Sequence, residues 1–471
     1  MKKTIREFLE DHGAGCPVSF HMPGHKGKRF YEERGYGAFL SRMMDMDITE
    51  IPGADNLFQA ESIILETMKK YEGLYESRKS YLLINGSSGG ILAAILATVP
   101  RGGKLVMARN CHKSVFNALT LGDISPAYAF PTEVEGYGIL GEVTTEEIKR
   151  VMDENPKASA VILPSPNYYG ICSDIGAIAE EVHKRGKILI VDQAHGAHLK
   201  FFRHVPGVNF PKSAEDSGAD IVINSTHKTL ASFTQTAILN VCSDRVDLGT
   251  LEDKLQVVES SSPSYPLMAT LDINADIIAE EGSRLMERWA ENLRWFYEEA
   301  EKIPGLGIMK DDNLDPTKLN IDMSAYGCDG NQLEELLMEK GIFIELVAGN
   351  VIMCMTGIGN VREDYQRLLE ALREIAQDRG LTEEGKRRQP PALTKRLKWH
   401  GMPSAKERIP LDEAAGRICA TSIIPYPPGI PIACPGEILD EEVLAYVKKR
   451  KESGEKVIGL SENYTIDVGK L

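Results

Sequence analysis

No uninterrupted apolar run in these 471 residues approaches the ~20 needed to cross a bilayer. The opening segment, MKKTIREFLEDHGAG, is charged and lacks the apolar stretch of a secretory signal, so a cytoplasmic protein with no membrane partner is expected. Basic residues are in deficit: 54 Lys plus Arg stand against 69 Asp plus Glu, a formal net charge of −15. A chain that acidic has no general electrostatic reason to bind nucleic acid or an anionic surface. None of the eight cysteines falls in a C-x-x-C pair, which removes the zinc ribbon and the thioredoxin-type site. Scattered thiols of this kind are expected to be reduced and structural. Internal repeats and low-complexity tracts are missing as well. What is left is a composition of 42% hydrophobic and 26% charged residues, enough to bury a sizeable core. At this length about two to four domains are expected.

From about residue 80, short apolar runs alternate with amphipathic stretches. Tyr81–Asn85, Lys104–Arg109, Ala158–Pro164, Lys187–Asp192 and Ala219–Thr226 read as buried strands. Thr144–Asn155 and Asp174–Arg185 read as helices, the second opening on an aspartate suited to N-capping. This alternation predicts a mostly parallel α/β sheet with helices on both faces, and such sheets place their sites at the carboxyl ends of the strands. A long helix is expected over Tyr265–Lys302. A smaller α/β unit should follow, with strands near Thr317–Met323, Ile342–Val347 and Val351–Thr356, then a basic linker at Gly385–Leu393. The implied division is an N-terminal segment over 1–75, a large domain over 76–304, a small α/β domain over 305–384 and a C-terminal domain over 385–471.

Four strand ends carry chemistry. Ser225-Thr226-His227-Lys228-Thr229 puts a lysine at the sheet edge, where desolvation favours the neutral amine that attacks carbonyls. A lysine after a strand is ordinarily a plain surface cation, so its company decides. Asp192 ends the run KILIVD and precedes Lys228 by 36 residues, the length of one helical crossover. A carboxylate there either caps the next turn or keeps a pyridine nitrogen protonated, which makes the ring an electron sink. His195 and His198 stand at i, i+3, but a metal would need further ligands and would leave Lys228 unexplained; no metal is expected. Asn85-Gly86-Ser87-Ser88-Gly89-Gly90 joins a strand to a helix, either as a plain connection or as a phosphate cup. It has neither the G-x-G-x-x-G spacing of a dinucleotide site nor the lysine of a P-loop. His112, in Asn110-Cys111-His112-Lys113-Ser114, can cap the following helix or stack on an aromatic ligand. A phosphate cup, an aromatic platform, an acid and a lysine together describe a pocket for pyridoxal phosphate.

These residues resemble the Orn/Lys/Arg decarboxylases of the aminotransferase-like fold (fold type I), in their short bacterial form. The likeness runs through HMPGHKG at 21–27, IPGADNL at 51–57, the four strand ends, SSSPSY at 260–265 and PYPPGIP at 425–431 followed by PGE at 435–437. It implies a pyridoxal 5′-phosphate enzyme with Lys228 as its Schiff-base lysine, Asp192 on the pyridinium nitrogen and His112 stacked on the ring. Ser87, Ser88, Gly89, Ser225 and His227 would hold the phosphate, and His195 would lie near the phenolic oxygen. The resemblance also implies a homodimer or higher homo-oligomer, with Ser261 reaching the partner's cofactor. The substrate would be a basic amino acid, arginine first and lysine or ornithine next, for polyamine synthesis. Glu437, and more weakly Asp55, would receive its distal cation. Gln193 departs from the family, which usually has an acid after the aspartate. An aminotransferase or lyase of the same fold shares the lysine and aspartate, and a non-catalytic regulatory relative is the remaining alternative.

Overall fold

A computed structural model describes residues 3–382, 397–426, 430–452, 454 and 456–470. The expected linker at 385–393 and residues 427–429 of the proline-rich tail lie outside the described residues. The five apolar runs read as strands all enter one seven-stranded sheet. Its spatial order is Lys79–Leu83, Ala237–Val241, Ile221–Asn224, Ile188–Asp192, Ala160–Pro164, Lys104–Ala108, Ser125–Ala129. Every pairing is parallel except those of Ala237–Val241, which runs antiparallel to both neighbours.

Two strands of this sheet escaped the sequence reading. Ser125–Ala129 contains Pro126, which cannot donate to a ladder and is tolerated because the strand lies at the sheet edge. Ala237–Val241 follows Ile221–Asn224 after residues 225–236, which hold only the four-residue helix Thr226–Thr229. A parallel return normally needs a full helical crossover, so the chain comes back antiparallel. The predicted helices form as Thr145–Glu154 and Ile175–Lys184, capped by the side chains of Thr144 and Asp174. Among the described residues, no helix is long and apolar enough to cross a membrane.

Helix Tyr265–Ala300 opens on a Ser264 cap with Pro266 in its first turn. Its first part packs Met268, Leu271 and Ala275 into the core of the large sheet. From Ile277 to Ala300 it joins a second core with the strands Lys318–Asp322 and Val351–Met355. Those strands belong to a four-stranded sheet ordered Gly307–Ile308, Lys318–Asp322, Val351–Met355, Leu346–Ala348. The N-terminal strand Val18–Phe20 pairs in parallel with Ile342–Ile344, so the start of the chain is stitched to this smaller unit.

The last unit has its own core, including Leu411, Ile423, Leu444 and Val468. Arg109, just past the carboxyl end of strand Lys104–Ala108, joins it to the large sheet. Its guanidinium donates to the carbonyls of Pro431 (2.6 Å) and Ile432 (3.1 Å) and to Glu437 Oε2 (3.2 Å). The rings of Phe116 and Tyr128 lie 5.3 Å away, in cation–π contact. Glu437 Oε2 also accepts the Cys434 N–H at 2.8 Å. This corrects the expectation of an open acid at Glu437: its Oε2 is paired with Arg109 and the pair ties two units together, while its Oε1 is buried without a hydrogen-bond partner among the described residues. Removing one partner of a fully buried pair leaves an uncompensated charge, so Arg109→Met should destabilise the protein by about 3 kcal/mol. The double variant Arg109→Met/Glu437→Gln should recover most of that in denaturant unfolding; equal losses in both would show that the pair is not the tie.

Candidate active site

Three adjacent strands of the large sheet end in Pro164, Asp192 and Asn224. Together with Ser87, His112, Pro166, Tyr168, His195 and Lys228, the first two of these residues line one small pocket at the carboxyl edge. Lys228 is in helix Thr226–Thr229, and its Nζ lies 3.0 Å from His195 Nε2. Burial lowers the pKa of this amine, opposed by the carboxylates of Asp192 and Glu345. Asp192 is buried, its Oδ1 accepting the Ala194 N–H at 3.1 Å. Burial raises its pKa, while the Lys228 charge pulls the other way.

His112 both caps and faces the pocket. Its Nδ1 accepts the Ser114 N–H at 3.3 Å at the start of helix Lys113–Gly122, and burial brings its pKa down to about 3. A neutral ring results, suited to lying flat on another aromatic face. The His195 ring packs on Tyr168 at 5.2 Å, and its Nδ1 is buried without a partner. His195 and His198 do not converge on one point: His198 turns to Thr229 and Asp315. Among the described residues no group of three or more His, Cys, Asp or Glu could hold a metal.

The other side of the site is built to receive an oxyanion. Helix Gly86–Thr98 starts without a side-chain cap, so its first N–H groups are open. Ser87 and Ser88 sit in that first turn, and Gly86 has φ +74°, which favours glycine. A side chain at Gly89 would meet Glu259, since its Cβ would lie 2.9 Å from Oε1. The buried Ser225 hydroxyl has no partner. His227 donates from Nδ1 to the Thr236 carbonyl at 2.7 Å, leaving Nε2 free. An uncapped helix start and an orphaned buried hydroxyl, each following the carboxyl end of a strand of the same sheet, fit a phosphate, and the amine, acid and ring of the pocket fit a pyridine aldehyde.

The HMPGHKG motif contributes backbone. Gly24 N–H donates to the His227 carbonyl at 2.7 Å, and a Cβ at Gly24 would overlap the Leu230 carbonyl. From the smaller unit, Gly359 N–H donates to the Gly24 carbonyl (3.0 Å) and Ile358 N–H to Thr229 (2.9 Å). The lysine-bearing turn is thereby held from two sides.

Several expected residues lie elsewhere in the protomer. Asp55 is a second correction: its carboxylate accepts the backbone N–H groups of Asn56, Glu61, Ser62 and Ile64, capping the segment that leads into helix Ile63–Tyr75. It is saturated and does not line the pocket. Ser261 is exposed, outside the pocket of its own chain. Gln193 donates to Glu215 (2.9 Å) and Asn224 (2.9 Å) and accepts Ala214 N–H (2.7 Å). An acid there would face Glu215, so the neutral amide suits this chain. Glu259 was missed, because nothing in its local sequence sets it apart from other helix-end acids.

Residues 5–303 match the Orn/Lys/Arg decarboxylase major domain, and residues 390–465 match the C-terminal domain of the same family. The chain belongs to the Orn/Lys/Arg decarboxylase family. It is 32% identical to the arginine decarboxylase of Bacillus subtilis over 468 residues, covering 96% of this chain and 94% of that one. It is 23% identical to the constitutive lysine decarboxylase of Escherichia coli, covering 90% of this chain and 73% of that one. Among solved structures, the lysine decarboxylase of Francisella novicida superimposes with a TM-score of 0.80 at 20% identity, covering 95% of this chain and 78% of that one. An L-threonine transaldolase from Pseudomonas fluorescens reaches a TM-score of 0.60 at 13% identity, covering 79% and 86%. The fold is thus fold type I, as the resemblance implied, and it is shared by different chemistries. Family membership makes the protein a pyridoxal phosphate-dependent decarboxylase.

In this decarboxylase Glu259 is a titratable group under the proposed phosphate cup. Its Oε2 accepts the N–H groups of Ile84 (3.2 Å) and Asn85 (3.0 Å), and its Oε1 is buried without a partner. Burial raises its pKa from 4.5 to about 7, against the pull of the two N–H bonds. A carboxyl whose folded value exceeds its unfolded one stabilises the fold fully below about pH 4.5 and loses that contribution as pH rises through about 7. The thermal unfolding midpoint should therefore fall across this window, and Glu259→Gln should flatten the fall. A variant that keeps the parental slope would show that the acid is not responsible.

Proposed function

We propose that the protein converts L-arginine to agmatine and carbon dioxide, with pyridoxal phosphate carried on Lys228. The observation that carries the substrate is the full-length match to the arginine decarboxylase of Bacillus subtilis, 94% of which is covered at 32% identity. The lysine decarboxylase of Escherichia coli matches at 23%, and this chain spans 73% of it. The bound cofactor supplies the electron-accepting ring into which electrons of the breaking Cα–carboxylate bond are drawn.

The chain's own residues do the rest. Lys228 offers an amine whose neutral form burial favours, so it can bond a carbonyl carbon and yield that place to the substrate amine. Asp192, at a strand end in the same pocket, would hold a proton on a ring nitrogen. His112, a neutral ring lining the pocket, would stack on one face of the bound ring. Ser87, Ser88, Gly89, Ser225 and His227 would bind the phosphate, and His195 is within reach of Lys228 to pass a proton. The distal cation of the substrate is assigned to neither Glu437, whose Oε2 is paired with Arg109, nor Asp55, which accepts four backbone N–H groups. The protein is read as a homodimer in which the exposed Ser261 approaches the partner's phosphate.

Purified protein with pyridoxal phosphate should release agmatine from arginine and little amine from lysine or ornithine, read by mass. Cadaverine or putrescine as the main product would replace the substrate, and no amine from any of the three would favour a lyase or aminotransferase. Lys228→Ala should lose borohydride-fixed cofactor and all turnover. Asp192→Asn should keep cofactor while kcat falls by about two orders of magnitude. Ser261→Ala should weaken cofactor binding, and mixing it with Lys228→Ala should create hybrid dimers with one intact site. A fully active monomer in sedimentation would refute the dimer.

A further inference from the structure

Beneath the pocket lies a charged cluster that no step above uses. Lys318, the first residue of strand Lys318–Asp322, is fully buried. Its Nζ donates to Asp315 Oδ2 (2.8 Å), to Thr317 Oγ1 (3.0 Å) and to the backbone carbonyl of His195 (2.8 Å). All three ammonium protons are therefore engaged. Asp315 is equally buried: its Oδ1 accepts Thr317 N–H (3.0 Å) and Oγ1 (2.8 Å), and His198 Nε2 lies 3.1 Å from its Oδ2. His198 Nδ1 in turn lies 3.1 Å from Thr229 Oγ1. The cluster so touches both sides of the Lys228–His195 contact. Lys318 holds the His195 backbone, and His198 holds the residue after Lys228. Gly170 has φ +94°, and a Cβ there would lie 2.7 Å from Lys318 Cγ, so the chain leaves room for the lysine stem.

Burying a lysine and an aspartate costs several kcal/mol in desolvation per ion, and an apolar pair would fill the same volume as well or better. The cluster is fully hydrogen-bonded, yet none of its side chains lines the pocket. Its contacts instead end on His195 and on Thr229, the residue after Lys228.

We propose that the Lys318–Asp315 pair is a positioning device for the reacting amine, holding His195 against Lys228 Nζ from the smaller unit of the chain. It rests on the reading of Lys228 as the cofactor-bearing residue. The groups that act on this amine are Asp192 from its strand end, His195 and His112 from the neighbouring loops, Glu345 from the strand turn at 345, and Lys318 from below. Asp192 and Glu345 favour the ammonium; Lys318 opposes them. Removing the pair should loosen His195 and leave Lys228 more often protonated.

The test follows covalent capture of pyridoxal phosphate by cofactor-free, full-length protein, by absorbance and borohydride fixation, across a range of pH. Asp315→Asn/Lys318→Met removes both charges together, so no buried ion is left alone. Its capture midpoint should move up by about one pH unit, slowing capture near neutral pH by about tenfold. Its thermal midpoint should stay near the parent's. Lys318→Met alone should shift capture in the same direction and also unfold earlier, because Asp315 loses its partner. A folded double variant that captures cofactor with the parental midpoint and rate would overturn the proposal and reduce the pair to a structural tie. Failure of both variants to fold would also overturn it, by assigning the cluster to the fold itself. Equal capture by the parent and by Lys228→Ala would instead break the underlying reading of Lys228, a result the double variant cannot imitate.

Discussion

An amine withdrawn from water at the end of a strand loses much of its tendency to hold a proton, and the site is organised around that desolvation. Lys228 is placed by strand Ile221–Asn224 and a single turn of helix. The two carboxylates that act on it, Asp192 and Glu345, would restore the cation if they were unopposed. Burial and the Lys318 charge work against them. The protonation of the Lys228 amine is thus set by a balance of neighbours, and most of those neighbours come from segments far away in sequence.

That distance explains which parts were legible in sequence. Strand identity was readable because YLLIN, KLVMAR and KILIVD are short, apolar and bounded by polar residues. That Asp192 and Lys228 share one pocket was readable because a parallel sheet puts such residues on one edge whatever the packing details. The antiparallel strand Ala237–Val241 was not, since its direction depends on the length of a connection and not on the composition of the strand. Glu437 shows a sharper limit. Its place in PGE suggested an open acid, but its state is decided by Arg109, more than 300 residues earlier. Sequence proximity says nothing about such a partner. Asp55 is similar: four backbone N–H groups consume its charge, and backbone geometry of that kind leaves little trace in residue types.

Close backbone approach supplies the rigidity that this balance needs. Gly24, Gly357 and Gly359 bring HMPGHKG, the lysine-bearing turn and the end of strand Val351–Met355 into direct contact; a Cβ at Gly357 would come within 2.7 Å of Gly24 Cα. Three distant segments meet where no side chain fits. A shift of the smaller unit would therefore be felt at Thr229 and His227 through hydrogen bonds, without any side chain reaching the pocket.

Buried charge is handled by the same rule at each level of the structure. Arg109 with Glu437 joins the last unit to the large sheet, and Lys318 with Asp315 joins the small unit to the site. In both cases the cation also donates to backbone carbonyl oxygen, two for Arg109 and one for Lys318, so the desolvation cost is spread over several partners. Gln193 marks the converse. Beside Glu215 a second carboxylate would be unpaired and buried, and the chain carries an amide that can donate to that acid and accept from Ala214. The departure from the family pattern next to Asp192 thus has a local electrostatic reason. It keeps a further buried negative charge away from the neighbouring Asp192.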